Sequence, residues 1–288
     1  MLDPSDALAT RDSERGAFLS RDASAFGKPI LRLGLASHME TAIEPADIEH
    51  ALDSGINFLN WAGEEDVFSR AIAGLGSRRD DLVICVQFAA RRAPDAALEL
   101  QSILKTLNTD YVDILTFYYV ESRDEWGTLS GPGGALAYCR AAQQAGLVRR
   151  LGMTTHQRAL AAEVAWTGLL DLLMLRYNAA HRGAEREIFP STDAHRMPVI
   201  GYTALRWGAL LKSTPSDPPG FVAPRAPSWY RFVLQSPSVA VTLAAPHNRA
   251  ELDEDLSVLE ATGPLEAEEY ERLAKHGERV RRHAGRFP

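Results

Sequence analysis

The chain of 288 residues is poor in cysteine and lysine and has no long apolar run. Its two cysteines, Cys85 and Cys139, are too few for a disulfide framework or a four-cysteine zinc site, and they fit a reducing cytoplasm. No apolar stretch reaches the length that crosses a bilayer, so no membrane partner is expected. Basic residues are not in excess either. With 31 Lys and Arg against 38 Asp and Glu, the net charge of −7 argues against nucleic acid as a partner. The first 27 residues mix charges with small polar residues and lack the apolar core of a secretory signal. The histidines miss metal-ligand spacings such as His-Glu-x-x-His, so no metal is expected. The lysines number four (Lys28, Lys105, Lys212 and Lys275), so any chemistry that needs a buried ammonium has very few candidates.

What is present is an alternation of apolar segments and helical stretches. Strands are expected at Ile30 to Leu35, Ile56 to Leu59, Leu82 to Phe88, Tyr111 to Phe117, Val148 to Met153, Leu170 to Arg176, Val199 to Tyr202 and Ser238 to Leu243. Leu82 to Phe88 is almost continuously apolar, as a strand covered on both faces must be. Helices are expected between them, as at Pro45 to Leu52, with Pro near its start and Gly55 beyond its end, and at Pro94 to Leu107. Eight strand–helix repeats in a chain of this length predict an α/β fold, a (β/α)8 barrel. An open doubly wound sheet is the alternative, but no Gly-x-Gly-x-x-Gly follows the first strand. Residues 1–28 read as a polar leader, flexible or packed on the barrel, and 29–288 as one barrel domain with a C-terminal helix. Thr214 to Pro227, with five prolines, reads as a long excursion over the barrel mouth after the seventh strand.

The segments at the strand ends resemble a known family. Gly55-Ile56-Asn57-Phe58, Tyr111-Val112-Asp113-Ile114, Gly146-Leu147-Val148-Arg149-Arg150-Leu151-Gly152, Tyr177-Asn178 and Tyr202-Thr203-Ala204-Leu205 are similar, in order and spacing, to motifs of the aldo-keto reductases. The resemblance implies the same barrel and a carbonyl reduced by hydride from NADPH. It also implies a tyrosine proton donor, acidified by a lysine that an aspartate pairs, and a histidine that orients the carbonyl. Carried over by position, the aspartate falls on Asn60, the tyrosine on Glu65, the lysine on Gln87 and the histidine on Tyr118. All four differ. Without the ammonium, a phenol near pKa 10 is a poor acid at neutral pH, and a neutral Asn60 costs less to bury than an unpaired aspartate. Reduction by the usual machinery is therefore not expected.

For the cofactor, the resemblance places Tyr202 where an aromatic ring stacks on the nicotinamide, Thr154 where a serine holds its carboxamide and Thr155 where an asparagine is usual. Leu205 closes the strand-seven motif. Met174 stands in place of a glutamine, which removes a donor and an acceptor. Near the adenosine 2′-phosphate only Arg249 is a strong cation, and Glu251 replaces an arginine. The implied NAD(P)(H) site is thus weakened.

The candidate catalytic set is Asn60, Glu65, Gln87, Tyr118 and His156, with Arg176, His181, Arg182, Arg206 and Trp207 nearby in sequence. Arg176 and Tyr177 cannot both face the pocket, because strand side chains alternate. Each charged residue also has a plainer reading as a solvated loop residue or half of a structural ion pair. Glu64-Glu65-Asp66 reads as acids at a helix start, Gly131-Pro132-Gly133-Gly134 as a helix lead-in, Trp229-Tyr230-x-Phe232 as core, and Cys85 as a buried inert thiol. Three functions follow for a small-molecule pocket. One is an NAD(P)(H)-linked oxidoreductase with another proton donor, Glu65 or Tyr118. Another is a non-redox hydrolase, lyase or isomerase in which Glu65 and His156 work on an anionic substrate. The third is a catalytically silent binding protein.

Overall fold

The computed structural model describes residues 18–38, 41–261 and 263–283; most of the expected leader, 1–17, lies outside the described residues. A short antiparallel hairpin, β1 (Ser20–Arg21) and β2 (Ile30–Leu31), precedes eight further strands. These are β3 (Leu33–Ala36), β4 (Phe58–Trp61), β5 (Val83–Phe88), β6 (Val112–Phe117), β7 (Val148–Thr155), β8 (Leu172–Arg176), β9 (Val199–Tyr202) and β10 (Val239–Ala244). Each pairs in parallel with the next, and β10 returns to β3, so the sheet is closed. This is the (β/α)8 barrel that the alternation predicts.

The apolar continuity of the strands follows from their two-sided burial. One set of residues, including Phe58, Cys85, Ile114, Leu172, Met174 and Ile200, fills the barrel interior. The alternate set, including Leu59, Ile84, Leu115 and Leu173, packs under the surrounding helices. Trp229, Tyr230 and Phe232 are all buried in the helical layer, as their spacing suggests.

The expected first strand is in fact two. Ile30–Leu31 belongs to the hairpin, and only Leu33–Ala36 enters the barrel. Arg32 divides them. Its buried guanidinium donates to the carbonyls of Phe18, Leu234 and Val239, which fastens the hairpin to the barrel wall. Phe26, in the hairpin loop, meets Phe58 edge-on at 5.4 Å and so closes the amino-terminal end of the interior.

A helix at Arg123–Ser130 has no counterpart in the sequence reading, because Arg-Asp-Glu-Trp-Gly-Thr-Leu-Ser shows no apolar period. It is started by Ser122, whose hydroxyl accepts from the Glu125 amide at 3.1 Å. Gly131 ends it, and Gly134 precedes the next helix, Ala135–Gln144.

The proline-rich segment after β9 is pinned by the last helix, Ala267–His283. His276 Nδ1 donates to Asp217 at 3.0 Å, Arg279 joins it, and Phe221 stacks on the His276 ring at 4.7 Å. Burial pushes the Asp217 carboxyl up, but hydrogen bonds from Thr214, His276 and Arg279 outweigh it and hold the group well below the usual carboxylate range. Among the described residues no helix is long and apolar enough to cross a membrane.

Candidate active site

Because strand side chains alternate, the residues two positions beyond the interior cluster crown it at the carboxyl ends of the strands. They are Asn60 on β4, Gln87 on β5, Thr154 on β7, Arg176 on β8 and Tyr202 on β9, with Tyr118 just after β6. The parity also decides between Arg176 and Tyr177. Arg176 shares the side of Met174, whereas the Tyr177 ring is buried beneath the helices, 5.1 Å from Phe189, with its hydroxyl donating to Glu185.

Asn60 is buried, and its Oδ1 has no hydrogen-bond partner among the described residues; the Tyr202 hydroxyl is in the same condition. Enclosed polar atoms are costly unless something completes them, so both mark the mouth as a place for a polar ligand or water. Gln87 is half-buried above Cys85, while Tyr118 is exposed and lies against Tyr119 at 4.0 Å. Glu65 is exposed in the turn before the helix Val67–Ala73, which Asp66 caps through the Ser69 amide.

His156 pairs with Glu121, a residue the sequence offered no reason to select. Glu121 Oε1 lies 3.2 Å from His156 Nδ1 and also accepts from the His156 backbone at 2.8 Å, while Oε2 accepts from Gln157 Nε2. The histidine's carboxylate is therefore Glu121, from the loop after β6, and not Glu65, three strands away round the barrel. Since a carboxylate only accepts, Nδ1 carries the hydrogen, and no described group bonds Nε2. Burial lowers the His156 pKa; Glu121 raises it, and Arg176 lowers it further, with a net downward shift. The imidazole is thus neutral at physiological pH.

The aromatic rings continue across the mouth. Tyr119 lies 4.6 Å from His156, and Tyr202 meets His156 edge-on at 6.2 Å. Burial, with Tyr118 adding, pushes the Tyr119 phenol up to about 12, and burial carries Tyr202 far above the ordinary phenol range. Neither is an acid at neutral pH. Tyr119, Thr203, Arg206 and Trp207 have left-handed backbones (φ +44 to +57°), which for non-glycine residues is strain gathered at the strand ends.

At the place of a nicotinamide cofactor the residues present fit in part. Among the described residues, the Tyr202 hydroxyl is without a partner beside its aromatic ring, and the Thr154 hydroxyl faces the Met174 sulfur at 3.9 Å. Thr155 Oγ1 instead accepts from the Gln157 amide, and Leu205 packs toward the helical layers. At the adenosine end the fit is poor for a 2′-phosphate. Arg249 is bound to Asp253 at 2.8 Å and to Asp47 at 3.3 Å, and Glu251 to His247 at 2.9 Å. Among the described residues, no three His, Cys, Asp or Glu side chains gather as metal ligands would.

One lysine does approach a tyrosine hydroxyl, but at the opposite end of the barrel. Lys28 Nζ is 3.4 Å from the Tyr111 hydroxyl and 2.9 Å from the buried Asp113, which Arg79 also binds at 2.8 Å. This cluster ties the hairpin to the starts of β5 and β6, away from the mouth.

No curated protein matches the chain. Among solved structures, an aldo-keto reductase from Klebsiella pneumoniae in complex with NADPH superposes with a TM-score of 0.72 at 18% identity, covering 88% of this chain and 93% of that one. An aldo-keto reductase from Bacillus halodurans in its holo form gives 0.70 at 18% identity, with coverages of 89% and 95%. These likenesses show the fold. The family model described as the aldo/keto reductase family matches residues 32–229, from the arginine that fastens the barrel to the buried Trp229. Barrel, motifs and family match agree, and the chain belongs to the aldo/keto reductase family.

Proposed function

We propose that the protein is a nicotinamide-linked oxidoreductase in which His156, oriented by Glu121, replaces the phenol as the proton-transferring group. The observation that carries this reading is the 3.2 Å His156–Glu121 pair at the barrel mouth, beside Tyr202. When bound, an oxidised dinucleotide supplies a hydride acceptor. Tyr202 and Thr154 would hold the nicotinamide ring. A neutral imidazole with its Nδ1 hydrogen directed at Glu121 presents Nε2 as a base, so it takes the proton from a substrate hydroxyl as the carbon–hydrogen bond gives up hydride. Burial and Arg176 both disfavour imidazolium, which favours alcohol oxidation over carbonyl reduction at neutral pH. With Arg249 and Glu251 occupied by other partners, discrimination between NADP and NAD should fall below about tenfold.

The same dyad also suits a non-redox proton abstraction, and the engagement of Arg249, the one strong cation at the adenosine end, by Asp253 and Asp47 favours that second reading. Fluorescence titration with NAD and NADP in both oxidation states separates the two. Saturable binding supports the first reading, and no saturation at millimolar dinucleotide leaves the second. In either case, His156→Gln should cut turnover of an identified substrate by about 10² or more. An undiminished rate would remove His156 from the chemistry.

A further inference from the structure

Glu121 stands in the five-residue loop between β6 and the helix Arg123–Ser130. Its carboxylate is gripped from one side, by the His156 ring and amide and by Gln157. Its backbone is gripped from the other. Glu125 Oε2 accepts from the Glu121 amide at 2.8 Å, and Glu125 Oε1 accepts from Arg91 Nε at 2.7 Å. The same guanidinium spans the loop, with Nη2 donating to the Tyr118 carbonyl and, at 3.4 Å, to the Tyr119 carbonyl. Nη1 donates to the Ala89 carbonyl at 2.7 Å, so one side chain ties the loop after β5 to the loop after β6.

The second loop needs holding. Tyr119 has a left-handed backbone (φ +44°), which a tyrosine keeps only when its surroundings impose it. Glu125 also brings a negative charge to the Glu121 backbone, which Arg91 neutralises. Arg91 is itself built in. Glu99 of the helix Ala93–Thr106 accepts from the Ala89 and Ala90 amides, both at 2.7 Å, and the Arg91 carbonyl accepts from the Ala135 amide at 3.0 Å. Arg92 bridges to Gly134, where a Cβ would lie 2.2 Å from the Leu129 carbonyl oxygen, so only glycine fits. The Gly131-Pro132-Gly133-Gly134 segment is thus more than a helix lead-in: it anchors the arginine's turn.

We propose that Arg91 and Glu125 are positioning residues that fix this loop, so that Glu121 meets His156 Nδ1 and the Tyr119 ring lies against the imidazole. The consequence for turnover rests on the reading of His156 as the base. The hold on the His156 ring does not. Glutamine at 125 has one acceptor oxygen, enough for Arg91 or for the Glu121 amide but not for both. Glutamine at 91 lacks the charge and the fork that reach Glu125 and the two tyrosine carbonyls together.

Nitrogen NMR of the histidine rings in the full chain tests this, with the His156 signal assigned by its loss in His156→Gln. The parent ring should be the Nδ1–H form. It titrates under the charges of Glu121, Arg176 and Arg158, between the Tyr119 and Tyr202 rings. In Glu125→Gln and in Arg91→Gln that form should give way to a mixture of tautomers, with the ring titrating at lower pH. The two substitutions change charge in opposite senses, so a common downward movement comes only from the lost contact with Glu121. Should Arg91→Gln not fold, the tautomer mixture in the milder Glu125→Gln is the deciding signal. Arg91→Lys keeps an ion pair for Glu125 and should bring the signal back toward the parent's. Arg123→Gln, whose arginine pairs with Glu163 on the outer surface, should leave it unchanged. On an identified substrate, kcat should fall about tenfold or more in both glutamine variants, with KM little changed. Folded glutamine variants whose His156 ring keeps the parent's tautomer and titration overturn the proposal, even if they melt at lower temperature. A changed ring with an undiminished kcat leaves the hold on the ring standing and removes His156 from the chemistry instead.

Discussion

The His156 pKa is set by two opposed effects, of which Glu121 supplies one. Its charge raises the imidazole pKa, while burial and Arg176 lower it by more. A base is active when deprotonated, so turnover should rise with pH along a limb below the ordinary histidine value near 6.5. Glu121→Gln removes the raising charge and should move that limb to still lower pH, with a reduced plateau because the ring loses its orienting acceptor. A limb that moves upward or stays fixed in the rate profile would show that Glu121 acts elsewhere. The two thiols behave as buried apolar groups. Burial pushes Cys139 up to about 12 and Cys85 higher still, so neither should react with iodoacetamide until the chain is unfolded. Alkylation of the native protein, read by mass spectrometry, would contradict this.

The hairpin and the barrel are joined through one side chain. Arg32 keeps its charge despite burial that draws its pKa down to about 10, and it satisfies carbonyls of the hairpin, the end of the helix Ala226–Leu234 and the start of β10. Arg32→Met leaves those acceptors buried without donors and should cost about 2–5 kcal/mol, measured by urea unfolding. The helix Arg249–Leu256 is pH-sensitive through Asp255. Burial raises its carboxyl to about 7, with the Tyr230 hydroxyl opposing. The folded state thus holds a proton that the unfolded chain releases near pH 4. Stability from this group is full below that point and is lost as pH rises toward 7. Asp255→Asn should therefore gain on the parent as pH rises from 5 to 8, by on the order of 3 kcal/mol. Melting curves whose separation does not widen with pH would refute it.

On the scale of the whole molecule, the last helix supports the mouth from behind. Gly277 packs so closely on the loop after β8 that a Cβ would sit 2.3 Å from the Ala179 carbonyl oxygen. Gly277→Ala should cost about 1–3 kcal/mol in thermal unfolding. A midpoint equal to the parent's would show that the loop yields without cost. The barrel was legible because two-sided burial writes itself as apolar runs, and Leu82 to Phe88 needed no partner to be read. Asn60, Gln87, Thr154 and Tyr202, positions carried over from the family resemblance, do lie near the carboxyl ends of their strands, because strand bounds are fixed along one segment. The Glu121–His156 pair was not legible, because loops after different strands meet only when the sheet closes. What the sequence determined alone was the repeat, the family and the absence of any lysine from the carboxyl ends of the strands. Which charges face one another, as Glu121 faces His156, was decided by the closed barrel, because Coulomb energies and desolvation depend on distances through space and not along the chain.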